Sequence, residues 1–189
     1  YLSIEELLKK CDAVSVTTPA TSHFKVANIA LKHGCHIFIE KPLTKTVIEA
    51  KKIIALKNKL DLKVQVGHIE RFNPAFVKLT KNNPKPEFIE CHRLSTYNPR
   101  GTDVDVVLDL MVHDIDLILK IVPSKIKHIY ASGKAVFTKS IDLANSRIEF
   151  ENGCTANLTA SRISLKKMRQ MRLFEKKSYS MIDFNVPSF

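Results

Sequence analysis

The chain is 189 residues long and 44% of its residues are hydrophobic, which is ordinary for a globular protein and argues against disorder along its whole length. No apolar run of about 18 residues occurs, and the first segment lacks the basic and apolar regions of a signal peptide, so neither a membrane span nor secretion is predicted. The formal net charge of +11 favours anionic partners, but the basic residues are dispersed and Trp is absent. A lysine-rich solvated surface is therefore favoured over a nucleic-acid-binding face.

The four cysteines, Cys11, Cys35, Cys91 and Cys154, are far apart and form no C-x-x-C pair. This spacing argues against a disulfide scaffold and against a zinc knuckle. It is typical of reduced thiols, and the sequence therefore predicts a cytoplasmic protein.

Residues 1–67 alternate helical and strand patterns in the way that βαβ units do. Ser3 and Glu6 form a capping box for the first helix, and Thr21 or Ser22 can cap the second, which ends at Gly34. The predicted helices span residues 3–10, 21–33 and 44–59, and the predicted strands span residues 13–17, 36–39 and 63–66. Short apolar strands separated by helices predict a parallel sheet that is covered on both faces.

The pattern changes after Gly67, where prolines interrupt it, and we place the domain boundary there, between residues 1–67 and 68–189. The second domain is predicted to contain a strand over residues 88–97 and an amphipathic helix over residues 106–121. From residue 126 onward, strand follows strand, and Asn152-Gly153 predicts a type I′ hairpin. The second domain is therefore predicted to form an antiparallel sheet with one solvated face.

Glu40, Lys41 and Pro42 directly follow the second predicted strand. Ligands of open parallel sheets bind at the carboxyl ends of strands, so Lys41 lies at the predicted functional edge. A lysine that is partly desolvated there can exchange a proton near neutral pH. The alternative is an ordinary surface lysine in the turn between a strand and a helix.

Asp109 and His113 lie four residues apart in the predicted helix, which places both side chains on one helical face. The carboxylate can then accept a hydrogen bond from one imidazole nitrogen and leave the other nitrogen to take a proton from a substrate hydroxyl. One alternative is a solvated Asp and His pair. The other is a metal site shared with neighbouring aspartates, which is disfavoured because a single histidine among carboxylates binds zinc poorly.

Thr17, Thr18 and Pro19 follow the first predicted strand, and His23 lies one turn into the next helix. Hydroxyls and helix amides at such a point suit ribose, carboxamide or phosphate oxygens. His23 can equally be a helix-capping residue that binds no ligand.

Taken in order, these segments resemble the Gfo/Idh/MocA oxidoreductase family across most of the chain. The resemblance is carried by TTPATSHFKVANIALKHGCHIFIEKPLTKTVIEA, VGHIERFNPAF and VVLDLMVHDID. The first stretch has that family's Thr-Pro, a His four residues after the Pro, a helix that ends in Gly, a strand and then Glu-Lys-Pro. The other two are similar to a subgroup that acts on nucleotide-linked amino sugars, the UDP-N-acetylglucosamine 3-dehydrogenases.

The resemblance implies an α/β part followed by an α+β part. The first would be the C-terminal half of a Rossmann-type parallel sheet, and the second a substrate domain whose open antiparallel sheet forms a homo-oligomer interface. The implied activity is hydride transfer between the nicotinamide of NAD or NADP and a hydroxyl of a nucleotide sugar. A small-molecule substrate is implied, with no nucleic-acid and no membrane partner.

The resemblance also implies roles for single residues. His113 would be the general base, Asp109 would orient it, and Lys41 would polarise the hydroxyl oxygen and relay the proton. The cofactor side would be lined by Thr18, Pro19, His23, Glu40 and Lys41. Candidates for substrate or diphosphate contacts, by charge and position, are Arg71, Asn73 and Arg100.

The sequence departs from the family pattern at both ends. Members begin with a strand and a G-x-G-x-x-G loop that binds the pyrophosphate, and the five glycines of this chain form no such loop. The chain also begins without Met, and its end, DFNVPSF, comes before the substrate domain is expected to finish. We therefore expect a fragment, truncated at both ends, with little or no activity alone. The alternative is a catalytically dead remnant that acts as a binding or subunit-interaction module.

Overall fold

Three parallel strands form the sheet of the first part of the chain. A computed structural model describes residues 3–99 and 102–186, in which the chain divides into two units, Tyr1–His68 and Ile69–Phe189. The elements of the first unit are α1 (Ile4–Leu8), β1 (Ala13–Val16), α2 (Ala20–Lys32), β2 (His36–Glu40), α3 (Val47–Lys59) and β3 (Val64–Gly67). The strand order is β1-β2-β3 and both pairs are parallel, which confirms the predicted parallel sheet.

One face of this sheet is buried and the other is open. Ile37 and Ile39 of β2 are buried, whereas Ser15 of β1 and Gln65 of β3 are exposed on the opposite face. The buried core of the unit consists of Leu8, Val16, Ala27, Ala30, Leu31, Cys35, Ile37, Ile39 and Ile53. The prediction of cover on both faces is therefore wrong for the described residues. The burial pattern of β2 shows why: only every second residue of this strand is buried, which is typical of a sheet covered on one face.

Two helices of this unit begin elsewhere than the sequence predicted. α3 begins at Val47, three residues after the predicted start at residue 44, because Thr46 and Glu49 form a capping box there. α2 has Pro19 at its N-cap, and the Ser22 amide already donates to the Pro19 carbonyl at 2.8 Å. Thr21 and Ser22 therefore lie inside the first turn, and the prediction that one of them caps α2 is wrong.

The second unit combines two α-helices with a six-stranded sheet. After a 3₁₀ turn (Ile69–Phe72), its elements are α4 (Pro74–Lys81), β4 (Phe88–Leu94), a π-helical turn (Val107–Met111), α5 (Val112–Ile121), β5 (Ile126–Lys134), β6 (Leu143–Phe150), β7 (Thr155–Ser161), β8 (Met168–Glu175) and β9 (Ser178–Asp183). The strand order is β5-β6-β7-β4-β8-β9. The core includes Phe76 and Leu79 of α4 and Leu117 and Ile118 of α5, so these helices cover one face of the sheet.

β4 lies in the middle of the sheet and pairs with strands that come much later in the chain. It is parallel to β7 and antiparallel to β8, and every other neighbouring pair in this sheet is antiparallel. The chain leaves β4 through a helical connection rather than a hairpin, which allows β4 to insert between later strands. The antiparallel sheet that the sequence predicted is thus a mixed sheet with one parallel pair.

The Asn152-Gly153 hairpin forms, but not with a type I′ turn. Four residues connect β6 to β7, and the Gly153 amide donates to the Phe150 carbonyl at 3.0 Å. Gly153 has a positive φ of 90°, whereas Asn152 does not adopt the left-handed region. A type I′ turn requires positive φ at both residues and joins strands through two residues. The four-residue connection seen here adopts a different turn, so the predicted turn type is wrong.

Three loops gather at one end of the six-stranded sheet. The strand register places one row of residues across this end, namely Lys134, Leu143, Ser161, Leu94 and Met168. The loops beside this row are the one after β4, described over residues 95–99 and 102–106, and those over residues 135–142 and 162–167, and we refer to them together as the rim. The π-helical turn begins at the same end, because the Val106 amide donates to the Ile141 carbonyl at 2.9 Å.

Asp142 fixes the conformation of the rim loop that precedes it. Its Oδ2 accepts from the amides of Val136, Phe137 and Thr138 at 2.8 to 2.9 Å, and its Oδ1 accepts from the Thr138 hydroxyl at 2.7 Å. Burial alone would raise the pKa of Asp142, but these hydrogen bonds outweigh burial and hold the pKa well below its ordinary value. The loop therefore binds the charged carboxylate.

Asp142→Ala should lower the free energy of unfolding by about 1–3 kcal/mol at neutral pH, because the amides lose their charged acceptor. A lowered folded-state pKa stabilises the fold above the pKa of the unfolded chain, about 3.9 for aspartate, and that stabilisation is lost as the pH falls through the folded value. Urea unfolding across this pH range measures the effect, with exposed Asp103→Ala as the control. A difference that stays constant as the pH falls would contradict a role for the charge.

Candidate active site

The carboxyl ends of the three parallel strands carry the predicted cofactor residues. Thr18 and Pro19 follow β1, Glu40 is the last residue of β2, and Gly67 is the last residue of β3. Glu40 pairs with Gly67 in the register, and since all three strands are parallel, their carboxyl ends meet at one edge. This is the edge at which open parallel sheets bind ligands.

His23 joins two of the loops at this edge. Its side chain is buried, with 1% exposure. Its Nδ1 lies 2.8 Å from the Pro42 carbonyl oxygen and its Nε2 lies 2.8 Å from the Thr18 carbonyl oxygen. Both ring nitrogens are thus engaged by the backbone, and His23 anchors the segment after Lys41 to the loop after β1.

His23→Ala should lower the free energy of unfolding by about 2–4 kcal/mol, because it leaves a cavity and removes the imidazole that lies within hydrogen-bond distance of the backbone of two loops. His33→Ala is the matched control, since His33 is an exposed histidine at the end of the same helix. Thermal and urea unfolding of the two variants measure the difference. Equal stability of both would show that His23 does not hold the loops together.

Gly67 leaves room for the Glu40 side chain at the same edge. A Cβ added at Gly67 would lie 3.1 Å from both Glu40 Oε2 and Phe38 Cζ, so any larger residue would displace these side chains. Lys41 is half-buried next to Glu40, and the Lys41–Pro42 peptide bond is cis. The ends of β2 and β3 therefore pack around the Glu40 side chain, and Lys41 beside it is partly shielded from solvent.

Asp109 and His113 lie in a helix that is irregular rather than continuous. Asp109 belongs to the π-helical turn, and α5, which contains His113, follows directly. The sequence predicted one α-helix over residues 106–121, in which the four-residue spacing stacks the two side chains. The wider π-helical turn changes the angle between them, and such turns are frequent at functional sites. Both side chains are half-buried.

The other aspartates of this segment have structural partners. Asp105 caps the π-helical turn, since its Oδ1 accepts from the amides of Val107 and Leu108 at 2.9 and 3.0 Å. Asp114 and Asp116 each form an ion pair with an arginine. Across residues 3–99 and 102–186, no group of three or more His, Cys, Asp and Glu side chains is arranged to hold a metal ion.

Arg93 forms the centre of a buried ion-pair network. Its side chain is 3% exposed and donates to both oxygens of Asp114 at 2.8 to 3.1 Å and to Glu70 at 3.0 Å. Burial raises the pKa of Asp114, and the Arg93 guanidinium opposes that rise. The network ties β4 and the 3₁₀ turn to the residue that follows His113.

Arg71 and Asn73, two predicted substrate contacts, also have partners within the second unit. Arg71 Nε and Nη2 donate to the two oxygens of Asp116 at 2.7 and 2.6 Å, and these hydrogen bonds raise the pKa of Arg71. Asn73 Oδ1 accepts from the Ala75 amide at 3.1 Å and caps α4. The third candidate, Arg100, lies outside the described residues. Substrate contacts of all three stay predictions.

Glu70 and Arg93 were not predicted from the sequence, although one signal for Arg93 was present. Ile89, Cys91 and Arg93 occupy alternate buried positions of β4, so Arg93 is a charge on the apolar side of a strand. A buried charge requires a partner of opposite sign. The two closely spaced aspartates of α5 were the available partners.

Family models match the two units separately. Residues 1–68 match the oxidoreductase family with an NAD-binding Rossmann fold, GFO_IDH_MocA. Residues 75–177, more than half of the chain, match the GFO/IDH/MocA C-terminal domain. Among the described residues, no helix is long and apolar enough to cross a membrane.

The chain is similar to enzymes that are longer than it is. It is 38% identical over 185 residues to UDP-N-acetylglucosamine 3-dehydrogenase of Acidithiobacillus ferrooxidans, a match that covers 97% of this chain and 59% of that protein. It is 26% identical over 168 residues to scyllo-inositol 2-dehydrogenase (NAD(+)) of Bacillus subtilis, covering 81% of this chain and 49% of that protein. The chain therefore spans 59% or less of the length of these relatives.

Solved structures show the same architecture. The structure of UDP-N-acetylglucosamine 3-dehydrogenase from Acidithiobacillus ferrooxidans matches with a TM-score of 0.91 at 38% identity, covering 98% of this chain and 62% of that one. Scyllo-inositol dehydrogenase from Lactobacillus casei with bound cofactor NAD(H) and scyllo-inositol matches with a TM-score of 0.79 at 18% identity, covering 95% and 60%. The second match shows the fold alone.

Proposed function

Because this chain belongs to the GFO/IDH/MocA family of oxidoreductases, we propose that it carries the catalytic residues of an enzyme that transfers a hydride between NAD or NADP and a sugar hydroxyl. The substrate class is a nucleotide sugar, which is supported by the 38% identity to UDP-N-acetylglucosamine 3-dehydrogenase. The observation that carries the proposal is the position of Lys41 at the carboxyl edge of a parallel sheet, where His23 anchors the carbonyl of the next residue.

The proposed mechanism gives each polar side chain one role. In the oxidation direction, His113 takes the proton of the sugar hydroxyl onto an imidazole nitrogen, and Asp109 orients that imidazole. Lys41 donates a hydrogen bond to the same oxygen and stabilises the negative charge that develops on it. When bound, the nicotinamide supplies the hydride acceptor.

The groups at the edge of β1, β2 and β3 fit the nicotinamide side of a dinucleotide. Thr18 and Pro19 are exposed there, and Gly67 leaves the space in which Glu40 lies. These residues and Lys41 are the proposed cofactor contacts. His23 supports them by holding the loops, since its ring nitrogens bond to the backbone. The pyrophosphate requires a glycine-rich loop, which is not among the 189 residues.

The same proposal assigns residues 1–67 to part of a dinucleotide-binding domain and residues 68–189 to a substrate and oligomerisation domain. The sheet face opposite α4 and α5 supports a homo-oligomer, because it exposes large apolar side chains: Tyr130, Phe174, Tyr179 and Met181. The cysteines at 11, 35, 91 and 154 are all unpaired, which supports a reducing, cytoplasmic compartment.

A chimera tests the activity. In it, this chain replaces the matching 185 residues of the Acidithiobacillus ferrooxidans relative, whose other residues supply the rest of an enzyme. We expect NAD reduction with UDP-N-acetylglucosamine and much slower reduction with scyllo-inositol. A folded chimera that binds NAD but reduces it with neither substrate would overturn the proposal.

A second function is favoured by one feature of the sequence. No G-x-G-x-x-G loop occurs in the 189 residues, so the chain by itself suits a binding or subunit-interaction module. UDP-sugar binding by a chimera that never transfers hydride would support this alternative.

A further inference from the structure

Two exposed aromatic rings face each other on the rim. Tyr97 lies three residues beyond β4 and Phe137 lies in the loop between β5 and β6, and their side chains are 44% and 64% exposed. The ring centroids are 5.6 Å apart at an interplanar angle of 80°. This edge-to-face contact is favourable but leaves ring faces open to water, where they can stack on a planar ligand.

The loops that carry these rings are fixed in place. The Phe137 amide donates to Asp142, as described above, at 2.8 Å. The Ser95 amide donates to the Ser161 carbonyl, and the Ser164 amide donates to the Ser95 carbonyl, at 2.8 and 2.9 Å. Loops held by such hydrogen bonds present the rings without a large ordering cost on binding.

Four exposed lysines lie on the rim or directly beside it. They lie at the end of β5 and in two rim loops, and they are Lys134, Lys139, Lys166 and Lys167. Three aspartates also lie on the rim, but Asp142 is buried in its loop and Asp105 caps the π-helical turn, so only Asp103 exposes a carboxylate beside the four lysines. The rim thus combines open aromatic faces with positive charge, the two features that bind a nucleobase and its phosphates.

The rim is also the end of the sheet at which the segment of Asp109 and His113 begins. The Val106 amide bonds to the Ile141 carbonyl of the rim, and Asp109 follows within the first turn. The opposite end of the sheet is basic as well, but it lies beside the carboxyl end of α5, away from the π-helical turn. A ligand bound on the rim therefore lies at the end of the sheet where the segment of Asp109 and His113 begins, as a substrate of the proposed reaction should.

We propose that the rim binds the nucleoside diphosphate half of the substrate, with the base on the Tyr97–Phe137 pair and the diphosphate oxygens accepting from the rim lysines. This inference rests on the proposed function and gives the substrate class a physical site. The charge-assisted hydrogen bonds of the lysines supply affinity for the diphosphate. The aromatic pair supplies contact with the base.

Calorimetric titration of the 189-residue chain with UDP tests the site. Tyr97→Ala and Phe137→Ala should each weaken UDP binding about tenfold, the effect expected for one stacked base. Tyr179→Ala is the matched control, because Tyr179 is 56% exposed, contacts Phe174, and lies at the opposite end of the sheet. It should leave the dissociation constant unchanged, as should the ring-preserving Tyr97→Phe.

The lysines are tested by charge removal. Lys166→Gln with Lys167→Gln should weaken binding of UDP and of inorganic diphosphate, whereas Lys176→Gln with Lys177→Gln, at the far end of the sheet, should not. Thermal unfolding of each variant confirms that these exposed substitutions leave the fold intact.

Several results would overturn the proposal. Unchanged UDP affinity in both aromatic variants would do so, and so would absence of UDP binding by a folded chain. Tighter binding of single-stranded RNA than of UDP, with a steep salt dependence, would reassign the rim to nucleic acid. UDP binding by this chain and NAD reduction by the chimera are separate measurements. The rim proposal can therefore be rejected while the proposed reaction stands, and the reverse is also true.

Discussion

His113→Ala and Lys41→Ala in the chimera should each lower kcat/KM for UDP-N-acetylglucosamine by about 10²–10⁴-fold. Loss of a positioned general base removes that much of the rate, and loss of a charged hydrogen-bond donor to the reacting oxygen has an effect of similar size. The two losses should be far from additive when combined, because the proposed mechanism assigns both groups to the same proton transfer. Initial rates of NADH formation measure them.

The controls separate chemistry from folding. Lys45→Ala and His128→Ala remove an exposed lysine and an exposed histidine, and both should keep full turnover. All four variants should unfold at about the temperature of the unmodified chimera, within about 2–4 °C. Unchanged turnover in either His113→Ala or Lys41→Ala would remove that residue from the mechanism.

Arg93→Met should lower the free energy of unfolding by about 3–5 kcal/mol, because it leaves the Asp114 carboxylate charged, buried and without its partner. Glu70 would lose the same guanidinium. Arg147→Met is the matched control: Arg147 pairs with Glu149 on the surface with 45% of its side chain exposed, so its loss should cost less than about 1 kcal/mol. Urea unfolding of both variants provides the comparison.

A double variant gives the sharper test of this network. Arg93→Met combined with Asp114→Leu removes both buried charges, and should recover much of the stability that Arg93→Met loses. A double variant that is as unstable as the sum of the two single variants would show that the two residues act independently. Stability of Arg93→Met equal to that of Arg147→Met would contradict a buried ion pair.

The first unit was largely predictable because its local signals agree with its tertiary structure. Neighbouring residues in the sequence mark the cap of α1 at Ser3, the strand around Ile37 and Ile39, and the end of α2 before Gly34. The starts of α2 and α3 were misplaced because several residues near each start can act as caps. The position of Lys41 at the carboxyl edge of the sheet was predictable from chain order alone, since Lys41 directly follows a parallel strand.

The second unit was less predictable because its key contacts join distant parts of the chain. Arg71 and Asp116 are 45 residues apart, and Arg93 and Asp114 are 21 residues apart. No local pattern specifies such pairs. The π-helical turn was not predicted for a different reason: its apolar residues also fit the pattern of an ordinary amphipathic α-helix. The rim was not predicted because it depends on the register of five strands.

The central position of β4 has a consequence for the order of folding. The hairpins β5-β6 and β6-β7 join neighbouring segments and can form as soon as they are synthesised, whereas β4 must wait for β7 and β8. Contacts between distant segments slow folding, because a long loop must close before they stabilise anything. During translation, the backbone amides and carbonyls along both edges of β4 therefore stay without strand partners until β7 and β8 leave the ribosome. The sheet that packs against the helix of His113 therefore cannot close around β4 before β7 and β8 are made.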